Sequence, residues 1–459
     1  MKKKVLLALC LLASLNIYAQ WWSGHADNVV FDETAKTMTI TGLHAGELGD
    51  IITDGTGGTE NLRRGTYTWS EPDGMGHYYA YYNNDAKIET LVVTGEVNGD
   101  DIKIMADMGR NNWVDDTDQT SNDDSRLPKG GGLKHLDISG AKIVAGGGYY
   151  FNETFTNKYI ISARSSTAYL PAGTYQFSTS DNEIGDMMFF ACDMLQSIEL
   201  PTTATKIGDN AFEALMGMRK IVIPASVTSI GVDAFKWSFD MSDDAMMDYY
   251  VNHIIPYTII EFAEAEEKAN LDAGALKLGR WDGPNIDVVA HVNTPLTLLD
   301  DYALDAQLQE IFEAGEVKAT ATPPNKYWTF SNGVDVIVPD NVKVYTCQIV
   351  NGETDIRELT DALVVDGKRT IKRNNGVLVA CPDDATSNAY ELVAKYNADL
   401  VGTTPATTNA NDYPNNSLVP VLTKSHYEPG EYYMLYHGKW VAMASDATKV
   451  PACKALLKK

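Results

Sequence analysis

The sequence predicts a mainly β chain, poor in helix, organised around a stack of 23-residue repeats. Three observations carry that prediction. Ile184-Gly185-Asp186 restarts at Ile207-Gly208-Asp209 and again at Ile230-Gly231, 23 residues apart each time. Phe189, Phe212 and Phe235 keep register with those starts, and Leu195-x-x-Ile198-x-Leu200-Pro201 is matched by Met218-x-x-Ile221-x-Ile223-Pro224. From Tyr327 onward the texture changes to short alternating strands separated by turn signals. A fixed period of this length around an L-x-x-L-x-L core is the signature of a leucine-rich-repeat solenoid. The expected architecture is that solenoid with an N-terminal cap, followed by an all-β, sandwich-like domain.

The period is kept for a physical reason. Each repeat is one short strand with a turn or short helix, and has too little apolar surface to close a core alone. Stacking is expected to place Ile198 against Ile221 and to hold Phe212 between Phe189 and Phe235. The glycine of each Ile-Gly start is expected to supply a tight turn through positive φ. The proline after each strand cannot donate to the ladder and ends the pairing there. These apolar positions are scaffold and carry no chemistry.

The stretch Ile223-Pro224-Ala225-Ser226-Val227-Thr228-Ser229-Ile230-Gly231-Val232-Asp233-Ala234-Phe235 resembles the BspA-type leucine-rich-repeat family of bacterial surface proteins. The resemblance implies a cell-surface or secreted protein that attaches to host proteins and other cells. It extends to the C-terminal region. There Val342-Lys343-Val344-Tyr345 and Pro451-Ala452-Cys453-Lys454-Ala455-Leu456-Leu457 are similar to the opening and closing strands of the β-rich module that accompanies such repeats. Cys453 and Leu456 depart from that module's pattern, which has glycine and tyrosine at those places.

Composition bounds the function. The chain has 459 residues, enough for two or three domains, and a net charge of −25. A surface so acidic repels a phosphate backbone, which argues against nucleic acid. Residues 1–19 read as a secretory signal: Lys2-Lys3-Lys4, then the apolar run from Val5 to Leu15, then a cleavage edge after Tyr18-Ala19. That run is too short to span a bilayer, and Cys10 lacks the preceding small residue of a lipidated cysteine. The chain is thus expected to be exported, either to the cell surface in association with the outer membrane or as a secreted protein, without a membrane span. Cys192, Cys347, Cys381 and Cys453 remain after cleavage and form no C-x-x-C pair. Cys192 reads as a small core residue; among the other three one disulfide is possible, with no readable connectivity.

In chain order, residues 20–87 read as a β-rich cap in which Thr37-Met38-Thr39-Ile40-Thr41 alternates and Tyr67, Trp69, Tyr78, Tyr79, Tyr81 and Tyr82 crowd together. The solenoid is expected over 88–315. Leu91 to Met108 is its entry segment, and Leu133-x-x-Leu136-x-Ile138 a repeat core. An insertion is expected at about 152–181, because 62 residues separate Leu133 from Leu195. The acidic stretch from Asp115 to Ser125 lacks the glycine and late glutamate of a calcium loop and reads as solvated. Beyond Phe235 the pattern weakens, with Asp272-Ala273-Gly274-Ala275-Leu276 and Asp301-Tyr302-Ala303-Leu304 as echoes of the Ala-Phe turn. Pro323-Pro324 marks a boundary, and residues 327–459 form the C-terminal all-β domain.

No sequence motif marks catalysis. The eight histidines make no ligand spacing, and there is no nucleophile elbow, P-loop or dinucleotide fingerprint. Gly130-Gly131-Gly132 and Gly146-Gly147-Gly148 read as turns. Neither a catalytic residue nor a metal or cofactor is assigned. The candidate binding residues are the outward x positions of the repeat strands: Lys134, His135 and Asp137; Gln196, Ser197 and Glu199; Arg219, Lys220 and Val222. The expected function is non-catalytic adhesion to a host or bacterial surface protein or glycoprotein. The alternative is a carbohydrate-binding or glycan-handling accessory, using the aromatic cluster near Trp69 or the C-terminal domain. An enzyme built from unmarked carboxylates is a third reading, which turnover on polysaccharides tests.

Overall fold

The computed structural model describes residues 24–52, 67–69, 80–82, 88–110, 132–155, 159–163, 166–170, 173–215, 217–238, 251, 258–281, 286–287, 290–305, 308, 316–321, 326–380, 390–395, 412–422, 424–443 and 449–459. Strands dominate, and the longest helix among the described residues is Gly99–Gly109. The chain divides into two compact units, Met1–Ile260 with Ala269–Ala290, and Glu261–Lys268 with His291–Lys459. The leader at 1–19, the acidic stretch 115–125, Cys381 and Pro323-Pro324 lie outside the described residues.

In the first unit, strand Asn28–Asp32 turns back on Thr37–Leu43. The turn is held by Asp32, whose carboxylate accepts the Thr34 and Ala35 N–H groups. Strand Thr37–Leu43 then pairs in parallel with Thr90–Val97, which pairs in parallel with His135–Asp137, which pairs in parallel with Ser197–Glu199. The register aligns Met38, Leu91, Leu136 and Ile198, all buried. Alternation along each strand therefore sets one face inward and leaves the other at the surface. The segment read as a cap thus supplies a strand of the same sheet.

A second parallel ladder runs through the repeat starts. Strands Glu183–Ile184, Lys206–Ile207, Ser229–Ile230 and Asn270–Leu271 pair in order, with Ile184, Ile207, Ile230 and Leu271 in line. The echo at Asp272–Leu276 is therefore a true repeat, its start lying 41 rather than 23 residues after Ile230. Backbone bonds between successive repeats stitch the ladder: Thr228 N donates to Thr205 O at 2.9 Å, and Gly231 N to Ile207 O at 2.8 Å. Phe189, Phe212 and Phe235 stack as expected, with centroids 5.8 and 5.2 Å apart and near-parallel planes.

The expected role of the repeat glycines is corrected. Positive φ falls not on Gly185, Gly208 or Gly231 but two residues later, on Met187, Asn210 and Asp233 at 54°, 53° and 52°. The glycines are required by close approach. A Cβ at Gly208 would lie 2.6 Å from the Asp186 backbone N, and one at Gly231 2.7 Å from that of Asp209. Room for that approach is used by side chains: Asp186 Oδ1 accepts from Asp209 N at 3.0 Å, and Asp209 Oδ1 from Val232 N at 2.8 Å.

Helix Gly99–Gly109 starts with a capping box in which Asn98 accepts from Asp100 N while Asp101 accepts from Asn98 N. Asp101 is fully buried and also takes the Gly46 and Leu48 N–H groups, tying the helix to the segment 46–48. The expected insertion is built of antiparallel strands: Gly146–Phe155 with Gly173–Thr179, and Tyr159–Ala163 with Ser166–Leu170. Tyr150 and Phe151 anchor it in the core, Phe151 meeting Phe190 edge-on. Cys192 is a free, buried thiol, as the sequence suggests.

In the second unit, the expected strands near Val342, Val377 and Tyr432 are present as Lys343–Val350, Val377–Ala380 and Tyr432–Tyr436. Lys343–Val350 lies between Val377–Ala380 and Glu353–Glu358 in an antiparallel sheet that ends on Tyr327–Phe330. Leu418–Val421, Lys454–Lys458, Tyr432–Tyr436 and Lys439–Ala442 form another. Cys347 and Leu378 from the first meet Leu418, Ala455 and Leu457 from the second in a shared core. Asp301–Leu304, read as an echo of the repeat turn, falls in and just after the short helix Leu299–Ala303.

Candidate functional site

The outward positions of the parallel sheet are arranged in columns. One column runs Thr37, Thr90, His135, Ser197, and a second runs Thr39, Val92, Asp137, Glu199. A third, at the residue before each strand or at its edge, is fixed by backbone bonds. Glu89 N donates to Lys36 O, Lys134 N to Glu89 O, and Gln196 N to Lys134 O. Lys220 and Val222 stand at the equivalent places of strand Lys220–Ile223, one period after Ser197 and Glu199. All nine candidate residues are at the surface: His135, Gln196, Glu199, Arg219 and Lys220 are exposed, and Lys134, Asp137, Ser197 and Val222 half-buried.

Several of them are engaged within the chain. Lys134 lies 3.0 Å from Glu89, which also takes Lys36 at 2.6 Å. The hydrogen bond from Lys36, reinforced by Lys134, holds the Glu89 carboxyl below its usual range despite some burial. His135 Nδ1 and Ser197 Oγ share a hydrogen bond of 2.8 Å. Asp137 Oδ1 accepts from the backbone and hydroxyl of Ser139. Asp137 and Glu199 stand directly opposite one another in register. The sheet thus presents hydroxyls and an imidazole beside a carboxylate pair, with two cations one repeat further on.

Sequence reasoning missed the N-terminal extension of this face, at Lys36, Thr37, Thr39, Glu89, Thr90 and Val92. The signal was present in Ala35-x-x-Met38-x-Ile40 and Ile88-x-x-Leu91-x-Val93, which repeat the spacing without the Ile-Gly start. The aromatic cluster contributes strands Tyr67–Trp69 and Ala80–Tyr82, which pair antiparallel, while Tyr78 and Tyr79 lie outside the described residues.

Two further observations bear on chemistry. Among the described residues no group of three or more His, Cys, Asp or Glu side chains is placed to hold a metal ion. Among the same residues no helix is long and apolar enough to cross a membrane, which says nothing of β-barrel strands.

Residues 154–242 match the family model described as BspA type Leucine rich repeat region (6 copies). The match covers the three Ile-start repeats and begins within the antiparallel insertion. No curated protein matches the chain.

Proposed function

We propose that this chain, whose residues 154–242 are BspA-type leucine-rich repeats, is a non-catalytic binding protein, exported to the cell surface. Its outward sheet face engages a protein or glycoprotein of a host or neighbouring cell. One observation carries the reading: the outward side chains of four successive parallel strands fall in register, and none of the eight in the two columns is buried. A rigid, regularly spaced array of this kind suits a large partner, since solenoids present extended surfaces rather than enclosed pockets. The strongly acidic balance favours partners that are not nucleic acid. The repeats are read as a solenoid. A sandwich-like module is read within the second unit, on the strength of the core that the sheets of Lys343–Val350 and Lys454–Lys458 share.

The test is saturable binding of the chain from Gln20 onward to immobilised matrix proteins, mucins and cell-surface extracts, repeated with Glu199→Lys and Lys220→Glu. Binding to a protein surface that falls by at least about tenfold in either variant supports the reading. Binding that ignores both changes places the contact elsewhere and overturns it.

A further inference from the structure

A separate feature lies wholly in the unit of Glu261–Lys268 and His291–Lys459: a cleft of about 610 Å³. Its large apolar lining residues are Phe262, Leu296 and Trp328. Phe262 is fixed by stacking on Tyr302 at 4.3 Å. Trp328 donates its indole N–H to the Tyr390 hydroxyl, so its one polar atom is satisfied internally and the ring serves as wall. Lys454 Nζ stands 6.0 Å from the centroid of that ring, within reach of a cation–π contact.

The rim is polar and drawn from several segments. Strand His291–Asn293 pairs in parallel with Glu316–Ala321, and Thr294 N donates to Lys318 O at 2.8 Å as the chain turns away. That turn brings Asn293 and Thr297 to the rim with Thr320 of the neighbouring strand; Glu261, Glu264 and Lys454 complete it. Thr294, in the wall, is 4% exposed and its hydroxyl has no hydrogen-bond partner.

The chemistry of these groups selects a ligand class. An anion would face Glu261 and Glu264, and a cation would face Lys454. A neutral polyol meets both, because each hydroxyl donates to a carboxylate or accepts from an ammonium, amide or threonine. Its C–H face would lie against the apolar lining of Phe262, Leu296 and Trp328, and the volume falls in the range of small-ligand clefts. We propose that this cleft binds a short neutral saccharide, its hydroxyls held by Asn293, Thr297, Thr320 and the charged rim.

Saturation-transfer NMR on the full chain tests this with a panel of neutral hexoses, N-acetylhexosamines and their disaccharides. At least one is expected to bind with a dissociation constant on the order of 1 mM. Thr320→Trp, at an exposed position of the rim, is expected to weaken binding at least about tenfold, and Asn293→Ala to weaken it measurably. Thr354→Trp, exposed on strand Glu353–Glu358, is expected to leave it unchanged. Circular dichroism checks folding; if Thr320→Trp does not fold, Asn293→Ala decides. Absence of binding across the panel, binding that survives Thr320→Trp and Asn293→Ala, or preference for glucuronate or glucosamine over the neutral sugars would each overturn the proposal.

Discussion

The Phe212 ring lies 5.2 Å from the Phe235 ring with the planes 12° apart, and Phe189 closes the column on the other side. All three are buried, so the column is the axis on which the repeats are packed. Phe212→Ala removes its middle member and is expected to cost about 3–5 kcal/mol in urea unfolding. A loss below about 1 kcal/mol would show that the ring does not carry the packing.

The repeat glycines are needed for room rather than for φ. Gly208→Ala sets a methyl against the Asp186 backbone, 2.6 Å from its nitrogen, and is expected to cost about 1–3 kcal/mol. Gly352→Ala is the contrast: its φ is +83° with no neighbour within 4 Å, so its cost, about 1–2 kcal/mol, is one of backbone conformation alone. Replacing each glycine by asparagine, which tolerates left-handed φ, separates the two. Asparagine is expected to recover stability at 352 and to lose more at 208.

Glu213 is 3% exposed, and burial raises its pKa to about 7, with Lys236 and Asn210 opposing the rise. The sign follows from linkage. Between the unfolded value near 4.5 and about 7, the folded chain holds a proton that the unfolded chain has released, so stability falls as pH rises through that window. Glu213→Gln cannot ionise. Its stability relative to the parent is expected to rise from pH 4.5 to pH 7.5 by about 3 kcal/mol and then level off. Parallel stability curves for the two proteins would refute the buried-carboxylate assignment.

Cys192, Cys347 and Cys453 are free and buried. Burial pushes the Cys192 and Cys347 thiols up to about 12, and Cys453 upward as well. The thiolate is the reactive form, so iodoacetamide at pH 8 is expected to leave all three unmodified in the native chain and to label them in urea. Peptide mass mapping reads this directly; native labelling of Cys453 would show that its segment opens.

What the sequence made legible was whatever the period enforces. The phenylalanine column, the aligned isoleucines and the nine outward residues all follow from the Ile-Gly starts and the L-x-x-L-x-L spacing. Position-specific deviations were not legible. The place after the column phenylalanine holds Phe190, Glu213 and Lys236 in successive repeats, and nothing in that series marks the middle one as buried. The left-handed residues were assigned to glycine because a strained φ is its usual office, whereas Asn210 and Asp233 tolerate that region well enough to free the glycines for contact. Cys453 is a related case: it takes φ +57° where the resembled module has glycine. The cleft could not be seen at all, because Glu261, Asn293, Thr320, Trp328 and Lys454 come from five separate segments and share no spacing.

The stitching of the second ladder has a consequence for how such a chain can change. Asn270 N donates to Thr228 O just as Thr228 N donates to Thr205 O, although the first pair spans 42 residues and the second 23. The bonds fix where each repeat must re-enter the ladder and leave free how far the chain wanders between entries. Duplication or loss of a whole repeat therefore preserves every junction, and extra sequence between entries disturbs none. The number of strands, and with it the reach of the outward face, is open to adjustment by unequal recombination without redesign of the core.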